Sequence, residues 1–282
     1  MVTVWGAEVS VMVPRNFASC LALLVVLASA GAARSQEPST CPGNPHALGV
    51  SRSIEVDTAG GPRLGTYQYP ASLDLGAKEV VLTFDDGPNP RTTTKVLDAL
   101  DQHCVKATFF EVGKWVAAYP ELTREVADRG HTLGSHSYSH PRNLAHLPVE
   151  QAEQDIDRGF TVMKEASGGR VAPFFRYPGL NNSDALNAYL GSRNVAIVSC
   201  DIGTDDWMRI DSDQIVKRTL ARLEAKGKGI ILFHDTEPAT ARALPTLLDE
   251  LEKRGYRIVH MVPKAEGVAA LKPPEGASLN AP

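Results

Sequence analysis

The sequence predicts an α/β chain of parallel strands joined by crossover helices, and three observations carry that prediction. Seven short apolar runs follow one another between residues 80 and 261, stretches of helical periodicity separate them, and most of the runs end in a polar, chemically capable side chain. Strand–helix–strand succession of this kind requires parallel pairing through crossovers, so the architecture is a doubly wound sheet or a (β/α) barrel. No internal repeat of fixed period is found.

The runs come in order as follows. Val80–Asp85 precedes the helical stretch Thr92–Gln102; Ala107–Val112 precedes Pro120–Arg129; Thr132–His136 precedes Val149–Ala166. Phe174–Pro178 precedes Ser183–Ser192, Val195–Asp201 precedes Ser212–Lys226, Ile230–His234 precedes Ala241–Arg254, and Arg257–Met261 closes the series. In either architecture ligands bind where the carboxyl ends of the strands emerge. Asp85 and Asp86 end the first run, His136 the third, Arg176 the fourth, Asp201 the fifth and His234 the sixth, so the reactive side chains are expected along one rim.

The flanks differ from this core. Arg15 precedes the apolar run Phe17–Leu27, which passes into Ala28-Ser29-Ala30 and Gly31-Ala32, the pattern of a cleavable secretory signal over 1–33. The run dissolves into small residues before the roughly 20 apolar positions that a membrane span needs, so no stable membrane insertion is expected after cleavage, and a secreted or periplasmic location is expected. Residues 34–75, rich in Pro, Gly and Ser, are expected as an extended arm, 76–264 as one catalytic domain, and 265–282 as a flexible tail. Of the 4 Cys, Cys20 leaves with the leader; Cys41 and Cys104 are the expected pair, with Cys200 a buried thiol. With 29 Lys+Arg against 33 Asp+Glu the net charge is −4, which gives no electrostatic reason to grip nucleic acid.

Individually the polar motifs have ordinary readings: Asp85-Asp86-Gly87-Pro88 is turn chemistry, and His234 can cap a core strand. Together they have another. His136 and His140 stand four apart, which on a helical turn places both imidazoles on one face. With Asp86 they make a two-nitrogen, one-oxygen set that leaves a position for water, the composition of a catalytic rather than a structural zinc site. One divalent metal is expected, Zn2+ by default, with Co2+, Ni2+ or Mn2+ suited to the same donors. The carboxylate cluster that a second ion needs is not found. Arg176 can orient a carboxylate and His234 can protonate a leaving group. Trp115 and Tyr119 are read as packing beside the second strand, and His260 as a strand-end histidine.

On Thr83-Phe84-Asp85-Asp86-Gly87, His136-Ser137-x-x-His140, Arg176-x-Pro178, Asp206-Trp207 and Leu232-x-His234, in this order, the chain resembles the polysaccharide deacetylases of the NodB-homology type, carbohydrate esterase family four, from about Val80 to Met261. The resemblance implies a distorted (β/α) barrel with about seven parallel strands. It implies Asp85 as general base, Asp86, His136 and His140 as metal ligands, Arg176 as a brace for Asp85, and His234 as general acid. Trp207 and Leu232 would wall the acetyl pocket, with Tyr177 and Gly179 beside them. Two positions depart from the pattern. The aromatic expected after the motif Pro is Gly179, and the Asp expected four residues before the Trp, to tune the acid His, is Gly203; Asp201 or Asp205 is expected to replace it.

The function expected is metal-dependent removal of N-acetyl groups from an N-acetylglucosamine-containing glycan, peptidoglycan or chitin-like. Its rivals are an O-acetyl esterase of the xylan type and a noncatalytic glycan-binding protein.

Overall fold

The computed structural model describes residues 41–265; the leader expected over 1–33 and the tail beyond Ala265 lie outside the described residues. The described residues form ten strands: β1 (Val50–Val56), β2 (Arg63–Leu64), β3 (Glu79–Asp85), β4 (Thr108–Glu111), β5 (Thr132–Ser135), β6 (Val171–Phe175), β7 (Ala196–Val198), β8 (Ile202–Gly203), β9 (Gly229–His234) and β10 (Arg257–Pro263). Seven helices are interleaved: α1 (Thr93–Gln102), α2 (Gly113–Ala118), α3 (Pro120–Asp128), α4 (Val149–Ala166), α5 (Asp184–Ser192), α6 (Ser212–Lys226) and α7 (Pro238–Lys253). Their ends obey local chemistry. Asp211 caps α6 by accepting from Gln214 N, and Gly227, in the left-handed region at φ 82°, stops it.

Every strand pairing is parallel, as the crossover pattern requires. β9, β3, β4, β5, β6 and β7 pair in that order, and β8 pairs with the far side of β9. No ladder joins β7 to β8 among the described residues, so the strands form one open parallel sheet.

The period-two alternation of the strands divides the core into two clusters. Val80, Leu82 and Phe84 of β3 belong to one, with Val96, Leu97 and Leu100 of α1 and Leu244, Leu247 and Leu251 of α7. Val81 belongs to the other, with Phe110, Phe174, Val198, Ile230 and Met261. The first is the layer between strands and helices; the second fills the face turned away from the helices, as side chains fill a small barrel. Phe84 stacks between Phe109, at 5.0 Å between ring centroids, and Phe233, at 5.5 Å, and so ties β3 to both neighbours.

Each of the seven expected runs overlaps a strand, the fourth being shifted, since β6 spans Val171–Phe175 and the expected run is Phe174–Pro178, and three strands among the described residues are not expected. β1 and β2 fall in the stretch read as an arm. The alternation of β1 is broken by Arg52, which extends to the carboxylate of Glu79, and β1 pairs with β10 while β2 pairs with β7. β8 is two residues long and follows β7 directly, too short to separate from it by pattern. Cys41 and Cys104 form the expected disulfide, and Cys200 is a buried free thiol. Among the described residues no helix is long and apolar enough to cross a membrane.

Removing the ring between Phe109 and Phe233 leaves a cavity that close-packed neighbours refill only partly. Phe84→Ala is expected to lower the unfolding free energy by about 3–5 kcal/mol in denaturant titration; a loss below about 1 kcal/mol would contradict the central position assigned to this stack.

Candidate metal centre and active site

β3 delivers two carboxylates to the carboxyl edge of the sheet in opposite ways. Asp85 is the last residue of the strand and its side chain is buried. Asp86 lies beyond it at φ 77°, a left-handed turn that Asp tolerates better than most residues and that swings its carboxyl into the cleft. The following residue has to be glycine for steric reasons: a Cβ on Gly87 would come within 2.5 Å of Asp235 Oδ1.

His136 follows β5 directly. The expectation of a helical turn from His136 to His140 is not met: Ser137 and His140 have φ of 65° and 57°, and the segment is a loop. Asp155 holds it by accepting from Tyr138 N, Ser139 N and Ser139 Oγ, and Ser137 Oγ accepts from His140 N. The loop nevertheless brings the rings together, 4.8 Å between centroids. Asp86 Oδ1 is 3.1 Å from His140 Nε2 and 3.5 Å from His136 Nε2.

These three groups fit a divalent cation. Their ligand atoms all lie within 4.8 Å of one another. Asp86 Oδ1 is buried and accepts no well-directed hydrogen bond from the protein, an orphaned acceptor of the kind a cation satisfies. His136 Nδ1 is 2.7 Å from the Arg176 carbonyl, to which it donates, and this tautomer leaves Nε2 with its lone pair toward Asp86. Burial lowers the pKa of His136 against the opposing charges of Asp85 and Asp86, favouring the neutral ligand form. Burial works against the charged form of Asp86, but the close approach of His140 and the charges of His136 and His234 outweigh it and hold the carboxyl well below the usual carboxylate range.

Asp85 stays outside this set. Its Oδ1 accepts from Arg176 Nη1 at 2.6 Å, while Oδ2 lies 3.8 Å from His136 Nε2. Arg176 is fully buried and every donor arm is used: Nε to Val198 O, Nη1 also to Thr83 Oγ1, and Nη2 to Ser199 O, with the guanidinium 4.2 Å from the Phe110 ring centroid. The parallel register of β3 and β9 sets His234 beside Asp85. His234 Nδ1 is 2.8 Å from Asp206 Oδ1, and Asp206 Oδ2 accepts from His234 N and Thr240 Oγ1. Burial would lower the pKa of His234; the hydrogen bond and charge of Asp206, with Asp86 and Asp85 behind them, push it up to about 9 instead.

With this geometry in place, comparison with known proteins is decisive. A model of the polysaccharide deacetylase family matches residues 72–198. A chitooligosaccharide deacetylase of Bradyrhizobium is 34% identical over 204 residues, covering 67% of this chain and 91% of its own length. The chain belongs to the polysaccharide deacetylase family. A peptidoglycan-N-acetylglucosamine deacetylase of Bacillus cereus is 33% identical over 198 residues, 68% of this chain and 70% of its own. Among solved structures, a peptidoglycan deacetylase of Bdellovibrio bacteriovorus aligns with a TM-score of 0.72 at 33% identity, covering 82% of this chain and 63% of that one.

Within this deacetylase fold the replacement expected for the missing Asp at Gly203 is corrected. Asp201 does not reach His234. Its carboxylate accepts from Thr66 N, Thr66 Oγ1, Ser72 Oγ and Ile230 N, stapling the N-terminal segment to β9. Asp205 is held in ion pairs with Arg218 and Arg222. The carboxylate on His234 is Asp206, and its adjacency to Trp207 in the quoted motif was the signal that could have found it. A Cβ at Gly203 would meet nothing within 4 Å, since this position faces a cavity of about 580 Å³.

Leu232 and Trp207 line that cavity, joined by Leu180 and Tyr67; Trp207 is 58% and Tyr67 67% exposed. Tyr177 does not line it: the ring is packed edge-on against Phe175 in the core and its hydroxyl donates to Asn187 Oδ1. Gly179, at φ 61° in a 3-10 turn, is not in the lining either, and its neighbour Leu180 takes that place. Trp115 and Tyr119 also differ from expectation, since both border a second cavity beside Asp86 and His140.

Two further acids lie below the cleft. Burial pushes Glu111 up to about 8 against a hydrogen bond from Thr123, with the Asp235 charge adding to it. Burial likewise pushes Asp235 up to about 7 against a hydrogen bond from Thr93. A carboxyl whose folded pKa exceeds its unfolded value is protonated on folding, so its effect is a loss of stability as pH rises from the unfolded toward the folded pKa. Glu111→Gln should therefore flatten the fall in unfolding free energy between about pH 5 and pH 8 and exceed the wild type at pH 8 by roughly 1 kcal/mol or more. Parallel curves for the two proteins across that range would contradict it.

Proposed function

We propose that this chain is a metal-dependent hydrolase that removes N-acetyl groups from N-acetylglucosamine-containing glycans. The observation that carries the reading is the juxtaposition of a carboxylate–imidazole–imidazole triad, a free acid held beside it, and an imidazole backed by a buried carboxylate in register with that acid. The names of the relatives, deacetylases of chitooligosaccharide and of peptidoglycan N-acetylglucosamine, support the bond and the sugar. The leader expected over 1–33 and the Cys41–Cys104 disulfide support an oxidising, extracytoplasmic location.

Asp86, His136 and His140 hold the cation, Zn2+ being the default for this donor set. Bound there, it supplies Lewis-acid polarisation for amide hydrolysis. The protein groups supply the proton chemistry. Arg176 fixes one oxygen of Asp85 and leaves the other to take the proton of the attacking water. His234, protonated at neutral pH because Asp206 raises it, gives its Nε2 proton to the departing amine, so acetate and a free amino sugar remain. Trp207 and Leu232 border the space for the acyl methyl. The carboxylate of Asp206 on His234 supports the catalytic reading over the noncatalytic alternative, since the departure at Gly203 does not leave that imidazole without an acid.

Acetate release from N-acetylated chito-oligomers is expected to be lost on chelation and restored by Zn2+, with little release from acetylated xylan. Turnover that survives exhaustive chelation would overturn the metal assignment. Asp85→Asn should lower kcat by about 10²–10⁴-fold. Asp206→Asn removes the group that raises His234, so the alkaline limb of the pH–rate profile should move to lower pH; an unmoved limb with kcat retained would reject His234 as the acid.

A further inference from the structure

The cavity bordered by Trp207 and Leu232 is larger than the methyl of an acetyl group needs. It holds about 580 Å³, within the range of small-ligand sites. Its inner wall adjoins the chemistry. Leu232 stands two residues before His234 in β9, so strand alternation puts the two side chains on one face of the sheet. Cys200 lines the cavity too, and the carbonyl of the preceding Ser199 accepts from the guanidinium that grips Asp85. An acyl group cut between Asp85 and His234 therefore has this space beyond its first carbons.

Gly203 is what opens the space. It pairs in register with Leu232 across β8 and β9, and a Cβ added to it would meet nothing within 4 Å. A side chain at this position would stand in the cavity instead of displacing a neighbour. The polar groups around the space are engaged with one another. Asp205 pairs with Arg218 and Arg222, Arg222 also donates to Gly203 O, Lys226 donates to Thr66 Oγ1, and Asp201 accepts from Thr66, Ser72 and Ile230. What Tyr67, Leu180, Trp207 and Leu232 add is apolar surface. An uncharged, apolar chain suits such a lining better than an anion does.

We infer that this cavity takes N-acyl groups longer than acetyl, with Gly203 as the residue that sets the chain length, so that the substrate class extends from N-acetyl to short-chain N-acyl amino sugars. The inference rests on the deacetylase reading above and deepens it at the same site. The bond broken is still the amide C–N bond. The hydroxyl of water joins the acyl carbon, the amine leaves with the proton that His234 gives, and propanoate or butanoate is released in place of acetate.

The test uses the zinc-loaded chain and three tetrasaccharides of glucosamine that carry N-acetyl, N-propanoyl or N-butanoyl groups, with release of free amine as the common readout. Each methylene moved from water onto apolar lining is worth up to about fourfold in binding, so kcat/KM for the butanoyl oligomer should equal or exceed that for the acetyl one. Gly203→Leu should lower the butanoyl-to-acetyl ratio about tenfold, with Gly203→Ala between the two. The ratio compares two substrates on one protein, so a general loss of activity cancels from it. Since the added side chain has open space, Gly203→Leu should melt with the wild type. If it does not, Ala225→Leu, on an exposed position of α6 that borders the same cavity, narrows it from the helix side and carries the comparison. A wild type that cleaves the butanoyl oligomer with lower kcat/KM than the acetyl one, or a ratio that neither narrowing substitution lowers, overturns the inference. Should none of the three be cleaved, the deacetylase reading fails by itself, and calorimetric Kd values for the same oligomers, on wild type and Gly203→Leu, then judge the cavity.

Discussion

The site depends on one buried ion pair. Arg176 has no exposed surface, and a guanidinium in that position is tolerable only with each arm satisfied. Its donors reach Thr83 and Asp85 of β3 and the carbonyls of Val198 and Ser199 at the end of β7, while its own carbonyl accepts from His136 Nδ1. One residue therefore fixes the orientation of the proposed base, the tautomer of a proposed metal ligand and the distance between strands on opposite sides of the interior. Removing one member of such a pair typically costs about 3–5 kcal/mol because the other charge is left buried and unpaired. The same constraint that stabilises the interior also pre-positions the chemistry.

Parallel register does the rest. Because β3 and β9 pair residue for residue from Val80 and Gly229 onward, Asp85 and His234 arrive at the edge side by side without any loop having to carry them. Loops carry what register cannot: Asp86 through its left-handed turn, and His140 through a segment pinned by Asp155. Each imidazole then has a fixed partner on Nδ1 where the role demands it, a carbonyl for His136 and a carboxylate for His234. A carbonyl leaves the first ring neutral, as the proposed coordination requires; a carboxylate keeps the second protonated, as the proposed acid role requires.

Much of this was legible in the sequence, because buried parallel strands read as apolar runs and the polar residues that end them read as a rim. The positions of Asp85, His136, Arg176 and His234 at the strand ends follow from that alone. The parts that were not legible share a physical cause. Asp206 acts from a 3-10 turn, where no periodicity says which of several neighbouring acids turns inward. β1 escaped notice because its inner face includes Arg52, whose partner Glu79 is visible only once β1, β10 and β3 lie side by side. Trp115 sits on a helix of 6 residues, too short for its pattern to separate a buried face from an exposed one. A spacing of four between the two histidines suits a helical turn, but spacing alone does not exclude a loop that achieves the same closeness through positive φ.

The wall around the site also explains why Gly203 need not weaken it. An acid at that position would point into the space bordered by Trp207, Leu232 and Tyr67, away from the hydrogen bonds that Asp206 already makes to His234 through both oxygens. With the tuning carboxylate supplied by Asp206, the missing side chain only enlarges the cavity. Asp201 then serves a different end: by binding Thr66 and Ser72 it holds the segment that places Tyr67 on the same wall. A stretch with no strand pattern of its own thus becomes part of the cleft.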